Sequence, residues 1–78
     1  MNNVRLSYFI RVTNVGIFNA LVEAAERLSD SNFAAHRQRG YYELVTSSAA
    51  LWRELYLYGQ MLAQAQDEEI DGGERQTT

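Results

Sequence analysis

Residue types that could carry out catalysis are sparse in this chain of 78 residues. It has no cysteine and a single histidine, His36, which excludes thiol chemistry, disulfides and metal sites built from several cysteines or histidines. His36 has no carboxylate at helical spacing and is expected at the surface rather than as a general base. The carboxylate pairs Glu23/Glu26 and Glu68/Glu69 are typical of solvated surfaces, and the glycines fit no phosphate-binding loop. The sequence therefore predicts no catalytic residues, no metal and no cofactor.

Binding chemistry is better represented, because aromatic residues gather in the second half of the chain. Tyrosine, tryptophan and arginine dominate the hot spots of protein interfaces. The predicted partner-binding row consists of Tyr42, Trp52, Arg53 and Tyr56. The alternative is that these rings fill the core of a homodimer.

A short basic run, His36-Arg37-Gln38-Arg39, is the second candidate contact. Arg27 is expected to approach it if the chain reverses direction near residues 29–32. Arg27, His36, Arg37 and Arg39 are therefore predicted to make electrostatic contact with an acidic protein surface or a phosphate backbone. Ordinary salt bridges at a solvated helix start are the alternative.

Two helices are predicted to position these side chains. Apolar and aromatic residues recur at alternating steps of three and four from Tyr41 to Ala65, the spacing of a helix packed on another helix. A similar stripe runs through residues 14–29, and residues 29–32 favour caps and turns. The predicted fold is an all-α antiparallel helical hairpin, with helices at about 4–29 and 33–67, that dimerises into a bundle. Gly40 is the point at which the second helix could break.

Residues 4–13 also fit a strand, because aliphatic and aromatic residues alternate with the intervening positions. On this alternative, an N-terminal strand at 4–13 precedes the helices. The two interpretations stay open at the level of sequence.

Length allows one domain. Residues 1–66 are expected to form a single helical domain, and the acidic, glycine-bearing residues 67–78 a flexible tail. The formal net charge is −3, from seven arginines against ten acidic residues, which lacks the basic balance of most nucleic-acid-binding proteins. No membrane span or basic leader is evident, so we expect a cytoplasmic location, in a bacterial cell or an infected host cell, and no membrane partner.

Each interpretation resembles a known family. Two long antiparallel helices with a turn near Asp30 resemble the small helical-hairpin family typified by the plasmid copy-number protein Rop; that resemblance implies a dimeric four-helix bundle with Arg5 and Arg11 offered to RNA. The strand alternative resembles the ribbon–helix–helix repressors. It implies paired strands that present Arg5, Ser7, Phe9 and Arg11 to the DNA major groove.

The expected function is that of a small, non-enzymatic interaction module. It would bind and block, or chaperone, a protein partner, in the manner of a phage, plasmid or bacterial inhibitor or adaptor, and it is expected to be a homodimer. The alternative is a dimeric nucleic-acid-binding regulator of the ribbon–helix–helix or Rop-like type.

Overall fold

Four strands and two helices make up the computed structural model, which describes residues 5–28 and 32–77. The strands are β1 (Arg5–Val12), β2 (Phe33–Gln38), β3 (Tyr41–Thr46) and β4 (Asp71–Thr77). The helices are α1 (Val15–Leu28) and α2 (Ala49–Ala65). The fold is therefore α+β, and the all-α prediction is wrong.

The strands form one antiparallel sheet in the order β2-β3-β1-β4. With the chain order β1-α1-β2-β3-α2-β4, this is the split βαβ, or ferredoxin-like, arrangement. β1 lies inside the sheet, where it pairs with β3 on one side and β4 on the other. Among the described residues, both helices pack on the same face of the sheet, and no helix covers the other face.

The predicted layout, a helical hairpin at about 4–29 and 33–67 with a flexible tail at 67–78, differs from the structure in three segments. Residues 5–12 form β1, residues 33–46 form the β2–β3 hairpin, and residues 71–77, expected in a flexible tail, form β4. The alternative of a strand at 4–13 followed only by helices is also wrong, because the hairpin and β4 follow α1 and α2. β1 pairs within its own chain, so neither the Rop-like bundle nor the ribbon–helix–helix arrangement describes this fold.

The predicted second helix fails at its start because the residue types there favour a strand. Four of the six residues 41–46 are aromatic or β-branched, and their side chains alternate between the two faces of the sheet. Gly40, expected as a helix break, has φ +93° and lies in the two-residue turn between β2 and β3. Ser48, the only polar residue in the predicted helix stripe, is the N-cap of α2, where its hydroxyl accepts a hydrogen bond from Leu51 N at 3.1 Å.

The start of α1 has a similar cap. Asn14 Oδ1 accepts a hydrogen bond from Ile17 N at 3.0 Å, which satisfies one of the free amide groups of the first turn. The turn predicted at residues 29–32 falls mainly on residues 29–31, which lie outside the described residues.

The core lies between the two helices and the sheet. Its largest fully buried side chains come from both layers: Ile10, Ile17, Phe18, Leu21, Leu44 and Leu55. Burying one such side chain contributes about 1.5–3 kcal/mol, so this layer of contacts holds the helices on the sheet. The buried residues of β1, Ile10 and Val12, both have even numbers, which places the even positions of β1 on the helix-covered face and the odd positions on the other.

Glycine is required where β4 passes under α2. A Cβ at Gly72 would lie 2.7 Å from Tyr56 Cε1 and 3.1 Å from the Phe9 carbonyl oxygen. A Cβ at the neighbouring Gly73 would make only ordinary contact with the Phe9 ring, at 3.4 Å. The absence of a side chain at Gly72 therefore lets the aromatic side chains of α2 lie directly on β4.

We expect Gly72→Ala to lower the free energy of unfolding by about 1–3 kcal/mol, because the Tyr56 ring must move to admit the methyl group. Gly73→Ala is the matched control and should change stability by less than about 1 kcal/mol. Urea denaturation followed by circular dichroism measures both. Equal losses in the two variants would contradict the close packing of Tyr56 on Gly72.

Candidate functional site

The predicted partner-binding row lies mostly between the helices and the sheet. Tyr42 is half-buried and stacks on Phe18, with the ring centroids 5.2 Å apart and the planes at 25°. Tyr42 therefore helps to hold α1 on β3. Of the four residues in the row, Arg53 is the exposed one.

Trp52 and Tyr56 make the corresponding contact for α2. Their rings stack at 5.1 Å, and Trp52 also lies 5.9 Å from the ring of Tyr8 on β1. The indole Nε1–H donates a hydrogen bond of 2.8 Å to the Phe9 carbonyl oxygen. These contacts give Trp52 and Tyr56 a packing role, and the structure does not bring the row together as one exposed surface.

The four residues of the predicted basic contact also lie apart from one another in the structure. His36 and Arg37 are neighbours on β2, so their side chains leave opposite faces of the sheet. The Arg37 guanidinium lies over the Phe18 ring at 5.0 Å and donates a 3.3 Å hydrogen bond to Asn19 Oδ1. Arg39 is exposed in the β2–β3 turn, and Arg27, in the last turn of α1, borders a groove shared with Tyr58 of α2.

The face of the sheet away from the helices brings together residues from all four strands. We call it the open face. The strand registers place on it Arg5, Ser7, Phe9 and Arg11 of β1, Ala34, His36 and Gln38 of β2, Tyr41, Glu43 and Val45 of β3, and Asp71, Gly73 and Arg75 of β4.

A cluster of two aromatic rings and two arginines occupies the centre of this face. The Arg75 guanidinium lies 4.5 Å from the Phe9 ring centroid, and the Arg11 guanidinium lies 5.3 Å from the same ring and 4.9 Å from that of Tyr41. Gly73 is opposite Phe9 in the register. We call Phe9, Arg11, Tyr41, Glu43 and Arg75 the sheet-face cluster.

Glu43 fixes both arginines. One oxygen, Oε2, accepts from Arg75 Nη2 at 2.9 Å and from Arg11 Nη2 at 3.2 Å. The Glu43 side chain is only 8% exposed, whereas each arginine side chain is 39% exposed. The carboxylate is thus enclosed by the two guanidinium groups, and these groups keep a surface that can contact another molecule.

Two opposing effects act on the pKa of Glu43. Burial favours the neutral acid and raises the pKa, but the hydrogen bonds and positive charges of Arg75 and Arg11 outweigh it, so the pKa lies below its ordinary value of 4.5. Glu43 is therefore ionised at neutral pH. A carboxylate with a lowered pKa that is already paired with two arginines is suited to holding those arginines rather than to accepting protons in catalysis.

The open face differs in charge from the rest of the chain. It carries three arginines against two carboxylates, Glu43 and Asp71, whereas the whole chain has seven arginines and ten acidic residues. Acidic residues therefore predominate on the remaining surface. Among the described residues, no group of three or more His, Asp or Glu side chains is placed to hold a metal ion. The side chains of the cluster can stack, donate hydrogen bonds and pair with charges.

Sequence reasoning identified part of this surface. The ribbon–helix–helix resemblance groups Arg5, Ser7, Phe9 and Arg11 on one face, and they do share the open face. The predicted helix contains Tyr41 and Glu43 and the predicted tail contains Arg75, so the sequence interpretation misses all three. The aromatic and β-branched residues of 41–46 are a signal for β3, but no local pattern shows that β4 returns beside β1.

Comparison with known proteins adds little to this geometry. No protein-family model matches the chain, and no curated protein matches it. A solved structure of a de novo designed protein, Foldit4, is similar over 96% of each chain, with 16% sequence identity and a TM-score of 0.47.

Neither described helix is long and apolar enough to cross a membrane.

Replacing Glu43 by Gln should lower the free energy of unfolding by about 1 kcal/mol at neutral pH, because both arginines lose their charged acceptor while remaining partly solvated. The folded-state pKa is below 4.5, so the stabilisation by Glu43 is complete above that pH and is lost as the pH falls through the lowered pKa. Urea denaturation of both proteins between pH 7 and pH 2 measures this difference.

Glu54→Gln, at an exposed position on α2, is the control and should track the wild type at every pH. A difference between wild type and Glu43→Gln that persists unchanged at pH 2 would contradict the role of the ionised carboxylate.

Proposed function

We propose that this protein is a non-enzymatic interaction module of the inhibitor or adaptor type, which binds a protein partner through the open face of its sheet. The observation that carries the proposal is the sheet-face cluster. Two arginines and two aromatic rings are held in one arrangement by a buried carboxylate, on a face that no described helix covers.

The composition of the cluster supports a protein partner. Tyrosine and arginine are among the residues most enriched in interface hot spots, and hot spots lie near the centre of a contact surface. Phe9 and Arg11 lie on β1, an inner strand, with β3 and β4 on either side. A protein partner that binds over these two residues would therefore also cover parts of β3 and β4.

The fixed geometry of the cluster supports tight binding. A free arginine side chain loses conformational entropy when a partner immobilises it. Here Arg11 and Arg75 are already held by Glu43 and by the Phe9 ring, so part of that cost is met on folding. Both guanidinium groups keep exposed surface for carboxylates or carbonyls of a partner.

The charge distribution supports a preferred orientation. An acidic partner surface is attracted to the arginines of the open face and repelled by the acidic residues elsewhere, such as Glu23 and Glu26 on α1. Such asymmetry directs the encounter and disfavours wrong orientations more than it adds affinity.

Single-stranded nucleic acid is a second candidate ligand, and one observation favours it. Bases stack on aromatic rings and on guanidinium planes displayed by four-stranded sheets, and the open face presents both kinds of plane. The pairing of Arg11 and Arg75 with Glu43 leaves fewer free charges for phosphates, which is why we place the protein partner first.

The test is capture of ligands from a bacterial lysate on the immobilised chain, with half of the lysate treated with nuclease. Phe9→Ala and Arg75→Ala should each weaken retention of the partner at least about fivefold, because truncating a hot-spot residue costs more than about 1 kcal/mol. Arg53→Ala removes an arginine from the exposed side of α2 and is the matched control, with retention expected to be unchanged.

Three outcomes would decide between the candidates. A protein retained equally after nuclease treatment and lost in the Phe9 and Arg75 variants supports the proposal. Retention of nucleic acid that is lost with nuclease and in the same variants supports the second candidate. Partner binding that is weakened by Arg53→Ala but not by Phe9→Ala or Arg75→Ala would place the contact on α2 and overturn the proposal.

A further inference from the structure

Strand β2 forms an exposed edge of the sheet. Within residues 5–28 and 32–77 it pairs with β3 alone, and five of its six residues are exposed. Its register with β3 runs without a bulge from Phe33 to Gln38, and the chain contains neither proline nor lysine. Bulges, proline and lysine are among the usual devices that keep an edge strand from pairing with another chain, and β2 has none of them. Its one arginine, Arg37, is turned to Phe18 and Asn19 of α1, so the backbone edge of β2 is open to a further strand.

The turn geometry indicates which backbone groups of β2 face this edge. Gln38 and Tyr41 flank a two-residue turn and are paired in the register, and such a flanking pair exchanges hydrogen bonds across the hairpin. Alternate residues of β2 therefore direct their amide and carbonyl groups to β3, and the others direct theirs outward. The outward set is Phe33, Ala35 and Arg37.

An antiparallel copy of β2 fits these groups. We consider two copies whose sheets join at β2, with all four helices on one side of the joined sheet. Residues paired across the joint must then both have odd numbers or both have even numbers. The register that places Ala35 opposite Ala35 of a second copy also places Phe33 opposite Arg37 of that copy. In this register the backbone groups of all three outward-facing residues pair. A change of register by two residues would leave one outward-facing residue of each copy unpaired.

Charge complementarity favours the same register. β1 and β2 both run antiparallel to β3, so α1, which connects them, runs antiparallel to β2. The Arg37 guanidinium donates a hydrogen bond to Asn19 Oδ1, so Arg37 and Asn19 lie at a similar level. Phe33 precedes Arg37 by four residues, which is about 13 Å of strand. The same distance corresponds to about nine residues of α1. Phe33 is thus level with the last turn of α1, which ends at Leu28 and contains Glu26.

Glu26 lies on the side of α1 that faces the β2 edge. It follows Asn19 by seven positions, so the two share one side of the helix, and Glu26 is exposed. In this register, Arg37 of a second copy lies opposite Phe33. Its guanidinium, which in the single chain makes an exposed 3.3 Å hydrogen bond to Asn19 Oδ1, would exchange that bond for the Glu26 carboxylate. The two-fold symmetry produces the same pair twice.

We propose that β2 is a homodimer interface, at which it pairs antiparallel with β2 of a second copy, Ala35 opposite Ala35, and Arg37 of each copy pairs with Glu26 of the other. The dimer forms one eight-stranded sheet whose two open faces lie side by side. Two sheet-face clusters then point in the same direction, which gives a partner with two copies of its epitope a bivalent surface. The inference rests on the β2 edge and does not depend on the proposed function.

The first test measures mass in solution by sedimentation over a range of concentrations. The wild type is expected at twice the 8.9 kDa of the chain at high concentration. Ala35→Pro removes an outward amide and leaves the hydrogen bonds to β3 in place, so it should raise the dimer dissociation constant at least about tenfold, since two symmetry-related hydrogen bonds are lost. Ala35→Val keeps the amide and should dimerise like the wild type.

The second test uses charge reversal. Arg37→Glu and Glu26→Arg should each raise the dissociation constant by about two- to tenfold, because each creates two like-charge contacts, and the double variant should restore dimerisation. Circular dichroism of each variant checks that the monomer stays folded, and rescue by the double variant is a readout that a simple folding defect would not give.

A wild type that remains monomeric at high concentration would overturn the proposal. So would a dimer that Ala35→Pro leaves intact in a folded protein, or one in which the two charge reversals add rather than compensate. A β2 edge that instead pairs with a strand of another protein would show as Ala35→Pro weakening capture of that protein while the wild type stays monomeric, and it likewise counts against the second copy.

Discussion

The pairing of β1 with two neighbours is the constraint on which the rest of the structure depends. Because β3 and β4 take the two sides of β1, its backbone is held within the sheet and its side chains divide strictly between two faces. Ile10 and Val12 enter the core under the helices. Phe9 and Arg11 are thereby directed to the open face, where they meet residues from strands far away in the chain.

Phe9 connects the two layers of the molecule. Its carbonyl oxygen accepts the hydrogen bond from Trp52 Nε1, on the helix-covered side, while its ring lies against Arg75 and Arg11 on the open face. The absence of a side chain at Gly72 allows Tyr56 to lie close to β4 beside this point. The packing of α2 and the geometry of the sheet-face cluster therefore share one short stretch of backbone.

A carboxylate enclosed by two arginines is a costly arrangement unless the charges stay paired. In this chain the cost is moderated because Arg11 and Arg75 keep contact with solvent, and the result is a pair of guanidinium groups with a defined orientation. In the function proposed above these guanidinium groups would serve recognition, since the carboxylate is already paired with them and its pKa is lowered. An extended sheet formed through β2 would set two such surfaces in one plane.

Local sequence determined several parts of this protein. The alternation in the first part of the chain indicates β1 (Arg5–Val12), the apolar stripe that follows indicates α1 (Val15–Leu28), and the regular spacing after Ser48 indicates α2 (Ala49–Ala65). In each of these segments the spacing of the apolar residues indicates which face is buried, because successive side chains point in regularly changing directions. It also grouped Phe9 with Arg11, because residues two apart in a strand share a face.

Tertiary structure decided the remainder. Residues 41–46 combine helical spacing with residue types that favour a strand, and in the fold they pair with β1 and β2 as a strand. Residues 71–77 are polar and glycine-bearing, and they form β4 because β1 offers an unpaired side and because Gly72 admits the Tyr56 ring. Glu43 and Arg75 meet only after both strands align with β1. Local periodicity reports which way a side chain points, but the partner across a sheet depends on which distant strand fills the neighbouring edge, and no nearby residue encodes that choice.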